Sequence, residues 1–188
     1  MQYEVEQKHR VANVDALIAR LIERGAILEP PVGQSDQYFA HPSRDFAKTD
    51  EALRIRTVGG QSFVTYKGPR LDSTTKTRRE LELPLTSHDN DGTQFVELLR
   101  ALGFRPVAIV RKNRQAFQIE LHGRDVEGAL DDVNGIGTFV ELELLAGDAN
   151  VEEAQRIVSA LAIELALGPA ELRSYLEMLL ERNGNDKN

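Results

Sequence analysis

The chain has 188 residues, a formal net charge of -7, 28% charged residues and 41% hydrophobic residues, which is the composition of an ordinary globular domain. The acidic balance argues against general binding of nucleic acid or of an anionic membrane, although it allows a local basic pocket. The absence of cysteine excludes disulfides, thiolate metal sites and cysteine nucleophiles. The sequence also shows no apolar leader and no apolar stretch of the roughly 18 residues that span a bilayer, so we expect a cytoplasmic protein without a membrane partner.

Hydrophobic periodicity and turn signals predict strands with helices inserted between them. The predicted elements of the first half are, in chain order, a strand over 3–11, a helix over 13–24 with Asn13 as N-cap, extended chain over 26–39, a loop over 40–50, and strands over 52–58, 61–67 and 77–83. Gly59-Gly60 between two of these strands is a hairpin signal, and Pro84 ends the last one.

The second half continues the same mixed pattern. Its predicted elements are a helix over 91–102, one long strand or two over 109–121, a turn at 123–125, strands over 127–133 and 138–145, and helices over 151–167 and 170–182. Residues 183–188 form a polar tail. Together the two halves predict a mostly antiparallel sheet covered by helices.

One face of several predicted strands carries charges of both signs. Glu4, Glu6 and Lys8 project to the same side of the first strand, because strand side chains alternate between faces. The same spacing recurs in later strands at Arg54 and Arg56, at Arg78, Glu80 and Glu82, at Lys112 and Arg114, and at Glu141 and Glu143. Such a surface suits a metal-bound polyanion, since carboxylates can hold the cation and bases can hold the anion.

Two architectures fit this alternation. In the first, helices cover one face of an open sheet and the charged face is solvated. In the second, the sheet curls shut and the charges line a lumen, which in an eight-stranded barrel is about wide enough for one small ligand. The periodicity alone does not decide between them.

An ordered set of short motifs extends over nearly the whole chain. The motifs are Glu4-Val5-Glu6-Gln7-Lys8, Asp36-Gln37-Tyr38-Phe39, Leu53-Arg54-Ile55-Arg56, Thr65-Tyr66-Lys67-Gly68-Pro69, Arg78-Arg79-Glu80-Leu81-Glu82, Lys112-Asn113-Arg114, Asp131-Asp132-Val133, Gly137 to Glu143, and Arg173-Ser174-Tyr175. This set resembles the CYTH, or triphosphate tunnel metalloenzyme, superfamily, which joins class IV adenylate cyclases and thiamine triphosphatases. The Lys-Gly-Pro and Arg-Ser-Tyr elements are most similar to the class IV adenylate cyclase branch.

The resemblance favours the second architecture. It implies an α+β fold in which a closed eight-stranded antiparallel β-barrel encloses a charged tunnel and the helices pack outside. It further implies a single CYTH domain over residues 1–182, followed by the tail, and it suggests a homodimer.

The carboxylates on the charged face are the candidate metal ligands, and Mg²⁺ or Mn²⁺ is the expected cofactor because both prefer oxygen ligands. The candidates are Glu4, Glu6, Glu141 and Glu143, of which the resemblance favours the first three. Glu80, Glu82 and Asp131 would hold a second cation or orient basic residues.

The bases on the same face are the candidate ligands of a triphosphate, since Arg offers bidentate forks to phosphate and Lys a point charge. They are Arg54, Arg56, Lys67, Arg78, Lys112 and Arg114. Three roles remain open for Lys8, namely phosphate contact, general base and structural ion pair. With Glu80, Lys8 is the candidate for a direct part in catalysis.

The expected reaction is transfer at phosphorus without a covalent enzyme intermediate. The resemblance favours conversion of ATP to cyclic AMP and pyrophosphate. The alternatives are hydrolysis of tripolyphosphate, thiamine triphosphate or a nucleoside triphosphate, and non-catalytic sensing of nucleotides or polyphosphate in the same tunnel.

Other residue types give weaker signals. The four histidines, His9, His41, His88 and His122, show no metal-ligand spacing and are expected on the surface or in loops. Tyr38, Phe39 and Tyr175 are expected to pack rather than to bind. No P-loop, dinucleotide or serine-hydrolase motif occurs in the sequence.

Overall fold

The computed structural model of the protein describes residues 2–69, 78–85 and 92–185, and these form nine strands and five α-helices. The strands are β1 (Gln2–Arg10), β2 (Ile27–Leu28), β3 (Val32–Ala40), β4 (Ala52–Val58), β5 (Gln61–Lys67), β6 (Glu80–Pro84), β7 (Arg105–Leu121), β8 (Arg124–Val133) and β9 (Gly137–Gly147). The helices are α1 (Val14–Glu23), α2 (Phe46–Thr49), α3 (Thr93–Ala101), α4 (Val151–Glu164) and α5 (Tyr175–Asn185). None of these helices is both long enough and apolar enough to cross a membrane.

The strands make one antiparallel sheet that curls into a half-barrel. Its order is β1-β9-β8-β7-β3-β4-β5-β6, with β2 paired to β7 outside this path. The predicted α+β fold with a curled antiparallel sheet is therefore confirmed, and eight strands lie on its main path.

The predicted closure of the barrel is wrong for the described residues. The two edges of the curl meet at one bridge, in which the Glu4 amide donates to the Arg78 carbonyl over 3.2 Å and the Arg78 amide donates back over 3.3 Å. A continuous ladder needs consecutive paired residues on both edges. The edge strand β6 is only five residues long and begins at Glu80, beyond this bridge, so the half-barrel remains open.

The outer face of the sheet carries the main hydrophobic core. Val5 on β1 and Val140 and Leu142 on β9 are fully buried there, and helices α1 and α4 cover them with Leu21 and Leu161. Each such side chain contributes about 1.5–3 kcal/mol by leaving water. Because strand residues alternate, burying Val5 outward turns Glu4 and Glu6 toward the inside of the curl.

Most element boundaries agree with the sequence predictions, and the differences have local causes. The N-cap at Asn13 is confirmed, since its side chain accepts the Ala16 amide over 3.0 Å. The predicted loop over 40–50 contains the short helix α2, which lacks a hydrophobic period long enough to detect. Strand β7 begins at Arg105 rather than 109, because its first residues pair with the end of β3 beyond an irregularity at 37–39.

The last helix begins five residues later than predicted. Residues 170 and 171 pair with β1 instead, through a bridge between His9 and Ala170 and a 2.7 Å bond from the Glu171 amide to the Lys8 carbonyl. Ser174 then caps α5, because its hydroxyl accepts the Glu177 amide over 3.1 Å. The helix continues to Asn185, three residues into the predicted tail.

His9 corrects the expectation that the histidines lie at the surface. It is only 4% exposed, on the outer face of β1, and its Nδ1 lies 2.7 Å from the Gly168 carbonyl. His41 and His122 lie in connections between elements, as predicted, and His88 falls outside the described residues.

Candidate active site

The inside of the curl holds a cavity of about 960 Å³. Every site residue predicted from the sequence lines it, with the exception of Asp131, which is fully buried behind the wall. The lining residues from that set are Glu4, Glu6, Lys8, Arg54, Arg56, Lys67, Arg78, Glu80, Glu82, Lys112, Arg114, Glu141 and Glu143. The sheet thus brings together side chains that lie up to 139 positions apart in the sequence, from Glu4 to Glu143.

Lys67 is shared by two carboxylates where the two edges of the sheet meet. Its Nζ lies 2.6 and 2.7 Å from the Glu4 oxygens and 2.6 Å from Glu80 Oε2. Burial raises the pKa of Glu4 despite the opposing charge of Lys67. Burial alone would also raise the pKa of Glu80, but its hydrogen bond with Glu4 and the charge of Lys67 lower it to about 2.

Asp36 holds two of the predicted phosphate ligands on the facing wall. Arg56 binds it in a bidentate fashion over 3.0 and 3.1 Å, and Arg54 Nη1 lies 3.3 Å from Oδ2. Gln34 adds two bonds, over 3.0 and 3.1 Å. These cations keep the pKa of Asp36 well below its usual range even though burial acts in the opposite direction, so the carboxylate is ionised.

Asp131 does the same for a second pair of bases. Lys112 Nζ lies 2.9 Å from Oδ2, and Arg114 binds both oxygens over 2.8 and 2.6 Å. Arg114 also contacts Glu141. Burial, together with the positive charge of Arg114, lowers the pKa of Lys112 to about 8.

Tyr175 at the start of α5 closes this part of the wall. Its hydroxyl donates to Asp131 over 2.9 Å. Lys8 Nζ lies 4.3 Å and Lys112 Nζ 5.0 Å from the centre of its ring, distances at which a ring face attracts a cation. Tyr175 therefore contacts two lysines and an acid of the cavity wall, and it contributes more than packing.

A row of three carboxylates crosses the opposite side of the cavity. The pairing of β1, β9 and β8 places Glu6 beside Glu143 and Glu143 beside Glu127. Burial, with the negative charge of Glu4 next in size, raises the pKa of Glu143 to about 8. The row thus brings three carboxyl groups close together on neighbouring strands.

This crowding bears on the predicted metal site. Carboxylate oxygens are suitable ligands for Mg²⁺ and Mn²⁺. A divalent cation would favour the ionised form of Glu143, whose pKa is raised first by burial and then by the charge of Glu4. In the described part of the chain, however, no group of three or more His, Asp or Glu residues has an arrangement that could already hold a metal. Glu4 and Glu141 instead point at Lys67 and Arg114. The donor set fits a hard cation, but these ion pairs would have to open first.

Two further predicted residues lie at the edge of this network. Arg78 is 6% exposed, and its guanidinium donates to the Asp50 carbonyl over 3.3 Å. Glu82 accepts the Thr65 hydroxyl over 2.7 Å and lies 3.9 Å from Arg56. Both line the cavity.

Sequence reasoning missed Asp36, Glu127 and Tyr175 as site residues. The inward position of Asp36 could have been found, because Asp36 and Tyr38 share one face of β3 in the same way as Arg54 and Arg56 share one face of β4. Glu127 carries no such signal, because only the β8–β9 register places it opposite Glu143. Tyr175 is the first residue of α5. The connection over residues 170–174 that leads to it was predicted to be helical.

A family model and two curated proteins match this chain. The CYTH domain model matches residues 2–175. A Methanocaldococcus jannaschii protein provisionally named an adenylate cyclase is 37% identical over 180 residues, which cover 93% of this chain and 97% of the relative. A protein of Aeromonas hydrophila named adenylate cyclase CyaB is 30% identical over 184 residues, covering 93% of this chain and 87% of the relative.

Solved structures share the fold along the same length. A Pyrococcus horikoshii protein superposes with a TM-score of 0.84 at 38% identity, covering 95% of this chain and 99% of that one. A Hippeastrum protein, provisionally named an adenylyl cyclase and described as having a dominant triphosphatase activity, has a TM-score of 0.68 at 17% identity, over 98% of this chain and 96% of that one. The second likeness concerns the fold alone.

Proposed function

This chain belongs to the CYTH domain family, and we propose that it is a divalent-metal-dependent enzyme that converts ATP to cyclic AMP and pyrophosphate. One observation carries the proposal: acidic and basic side chains from seven strands converge on a single cavity inside the sheet. The archaeal relative is provisionally named an adenylate cyclase and the bacterial one is named adenylate cyclase CyaB, and these names support the choice of ATP.

The basic walls would hold the triphosphate. Arg54 and Arg56 are already held side by side by Asp36, so little side-chain entropy is lost when they bind an anion. Phosphate oxygens would take over the place of the carboxylates that now neutralise Lys67 and Arg114. Lys112 and Arg78 would be the remaining ligands of the triphosphate.

Glu4, Glu6, Glu141 and Glu143 are the proposed holders of Mg²⁺ or Mn²⁺, with Glu82 as an outer candidate. Asp131, which lies behind the cavity wall, is proposed instead to orient Lys112 and Arg114. The cation, when bound, would supply Lewis-acid stabilisation of charge on the phosphate oxygens. When Glu4 and Glu141 bind the cation, Lys67 and Arg114 would lose these partners and turn toward the phosphates of the substrate. Binding of the cation and binding of the anion would therefore each favour the other.

In the proposed reaction the ribose 3′-oxygen attacks the α-phosphorus. The bond from the α-phosphorus to the oxygen bridging the β-phosphorus breaks, pyrophosphate leaves with that electron pair, and the proton of the 3′-hydroxyl passes to a base or to water. Lys8 is the proposed catalytic residue. It is only 1% exposed and lies on β1 beside Glu141 of β9. Glu80 would act through Lys67, which it contacts, and is therefore proposed as a positioning residue.

The same lining could serve a triphosphatase, in which water attacks the terminal phosphorus. The Hippeastrum structure indicates that this fold is compatible with that reaction, but its likeness to this chain does not reach beyond the fold. A sensor without catalysis would need the basic walls and would gain less from the acidic row.

The decisive experiment separates these functions by their products. The purified protein is incubated with Mg²⁺ or Mn²⁺ and, in parallel, with ATP, tripolyphosphate and thiamine triphosphate, and cyclic AMP, pyrophosphate and orthophosphate are quantified. We expect cyclic AMP and pyrophosphate in equal amounts from ATP. Orthophosphate as the main product would establish the triphosphatase, and tight binding without any product would establish the sensor.

Variants of the acidic row test the metal assignment. Glu4→Gln and Glu6→Gln should each lower metal-dependent turnover by about tenfold or more, because a neutral amide is a weaker ligand for a hard cation. Glu97→Gln on the outer helix α3, which is exposed and does not line the cavity, is the matched control and should leave turnover unchanged. Unchanged turnover with Mn²⁺ in both cavity variants would rule out these ligands.

A further inference from the structure

The cavity continues beyond its charged walls to a mouth that the proposed triphosphate does not explain. Pockets of about 300–1,000 Å³ enclose ligands of drug size, and the volume of about 960 Å³ exceeds what an inorganic triphosphate needs. The remaining space is lined by the connection between β3 and β4, residues 41–51, called here the mouth segment.

The chemistry of the mouth differs from that of the walls. Phe46, Val107, Leu176 and Leu180 give it apolar sides beside the acidic Asp45, Asp50 and Glu51 of the mouth segment, whereas the walls combine acids with most of the bases. The cavity therefore has one end for an anion and one end for a flat, partly apolar group.

Two side chains of the mouth segment present hydrogen-bond donors. His41 Nδ1 accepts the amides of Ser43 over 3.1 Å and of Arg44 over 3.0 Å, so the neutral ring carries its proton on Nε2 as a donor. The Arg44 guanidinium lies 5.1 Å from the centre of the Phe46 ring and is half exposed at the cavity. A guanidinium in this position can bond at its edge and stack on its face.

A buried acid fixes the shape of the segment. The Glu51 side chain, 3% exposed, accepts Arg44 Nη1 over 2.9 Å and the Thr49 hydroxyl over 2.7 Å. The Tyr66 hydroxyl, from β5, donates to the same carboxylate. Arg44 is thereby held ready at the mouth, and a preorganised donor loses little entropy when it binds a ligand.

We propose that the mouth segment is the subsite for the nucleoside of a nucleoside triphosphate. Arg44 and His41 donate to acceptor atoms of the base or ribose, the apolar sides pack against the base, and Glu51 positions Arg44. The inference rests on the proposed function, since the triphosphate must occupy the charged walls for its nucleoside to reach the mouth. It adds that the site distinguishes nucleotides from inorganic polyphosphate.

Binding of two ligands with the same anionic group tests the proposal. Calorimetric titrations in Mg²⁺ give Kd for α,β-methylene-ATP and for tripolyphosphate with the wild-type protein and its variants. Arg44→Ala should weaken the nucleotide by about tenfold or more, as expected for loss of a charged hydrogen bond, and tripolyphosphate by less than about twofold. Glu51→Gln should act in the same direction with a smaller loss, because it misplaces Arg44 without removing it.

Lys48→Ala is the matched control. Lys48 lies on α2 within the same segment, its side chain is 84% exposed, and it does not line the cavity, so its loss removes the same charge and should leave both Kd values unchanged. Equal weakening of both ligands by Arg44→Ala, or no weakening of either, would overturn the subsite. Either of these results, with a wild type that does bind the nucleotide, would overturn the subsite alone. Wild-type protein that binds tripolyphosphate but not the nucleotide would overturn the proposed conversion of ATP as well, and protein that binds neither would also overturn the proposed triphosphate site.

Discussion

Single carboxylates organise the cavity at the scale of residues. Asp36 neutralises two arginines, Asp131 a lysine and an arginine, and Lys67 is neutralised by Glu4 and Glu80. In each case a buried charge without its partner would be costly. The carboxylates therefore occupy the place that an anionic ligand would take. They hold the arginine and lysine side chains in position before such a ligand binds.

Asp36→Asn should destabilise the protein by about 3 kcal/mol, because it leaves Arg54 and Arg56 with a buried neutral partner. The measurement is the free energy of unfolding in urea at neutral pH, compared between the wild type and Asp36→Asn. The folded pKa of Asp36 is lowered, so its contribution is present above the unfolded value of 3.8 and is lost as the pH falls below it. The gap between the two proteins should therefore shrink below pH 3.8.

Asp132→Asn is the control for this substitution. Asp132 is exposed on β8, and its change should stay within about 0.5 kcal/mol at any pH. An Asp36→Asn protein as stable as the wild type at neutral pH, or a gap that persists unchanged in acid, would contradict the ionised buried pair.

At the scale of elements, the hairpin of β7 and β8 depends on one close approach. Gly128 on β8 pairs with Phe117 on β7, and the Phe117 ring covers the glycine backbone. A Cβ at Gly128 would lie 2.1 Å from Phe117 Cζ, far inside contact distance. Because Phe117 is 2% exposed and belongs to the core under α1 and α4, the ring has little room to move.

Gly128→Ala should therefore cost about 1–3 kcal/mol by overpacking. Gly147→Ala on β9 is the matched control, because a Cβ there meets nothing within 4 Å and the residue has no positive φ. Phe117→Leu in the Gly128→Ala background should recover part of the loss, which a double-mutant cycle in urea would measure. Equal costs for the two alanines would show that the ring yields without strain.

At the scale of the whole molecule, local signals predicted the elements, and non-local pairing decided the rest. Alternation and glycine turns placed β4 and β5 at their observed boundaries. They could not show that β1 meets Arg78 at a single bridge, because that depends on how far the sheet curls. The alternation of charges and the motif resemblance predicted most of the charged side chains that line the cavity, but not Glu127 or those of the mouth segment. Pairings such as Lys67 with Glu4, 63 residues apart, follow only from the fold.

His9 shows how the C-terminal part of the chain is tied to the barrel. Residues 168–171 lie against β1, where His9 bonds Gly168 and pairs with Ala170, and α5 then carries Tyr175 to the cavity. In the described structure the His9 Nε2 is buried without a hydrogen-bond partner. Burial therefore lowers the pKa of His9 below 6.5, although the backbone carbonyls oppose this, and the folded protein keeps the ring neutral.

This neutral ring predicts a specific loss of stability in mild acid. A lowered folded pKa means that the unfolded chain binds the proton first, so the His9 contribution is present above pH 6.5 and declines as the pH falls below it. Between about pH 7.5 and about pH 5.5 the wild type should lose more stability than His9→Asn, whose amide can still bond the Gly168 carbonyl. The measurement is the free energy of unfolding in urea at both pH values. His122→Asn, at an exposed position with φ 54° that Asn tolerates, should follow the wild type. If His9→Asn also follows the wild type, protonation of His9 is not the cause of the loss of stability in mild acid.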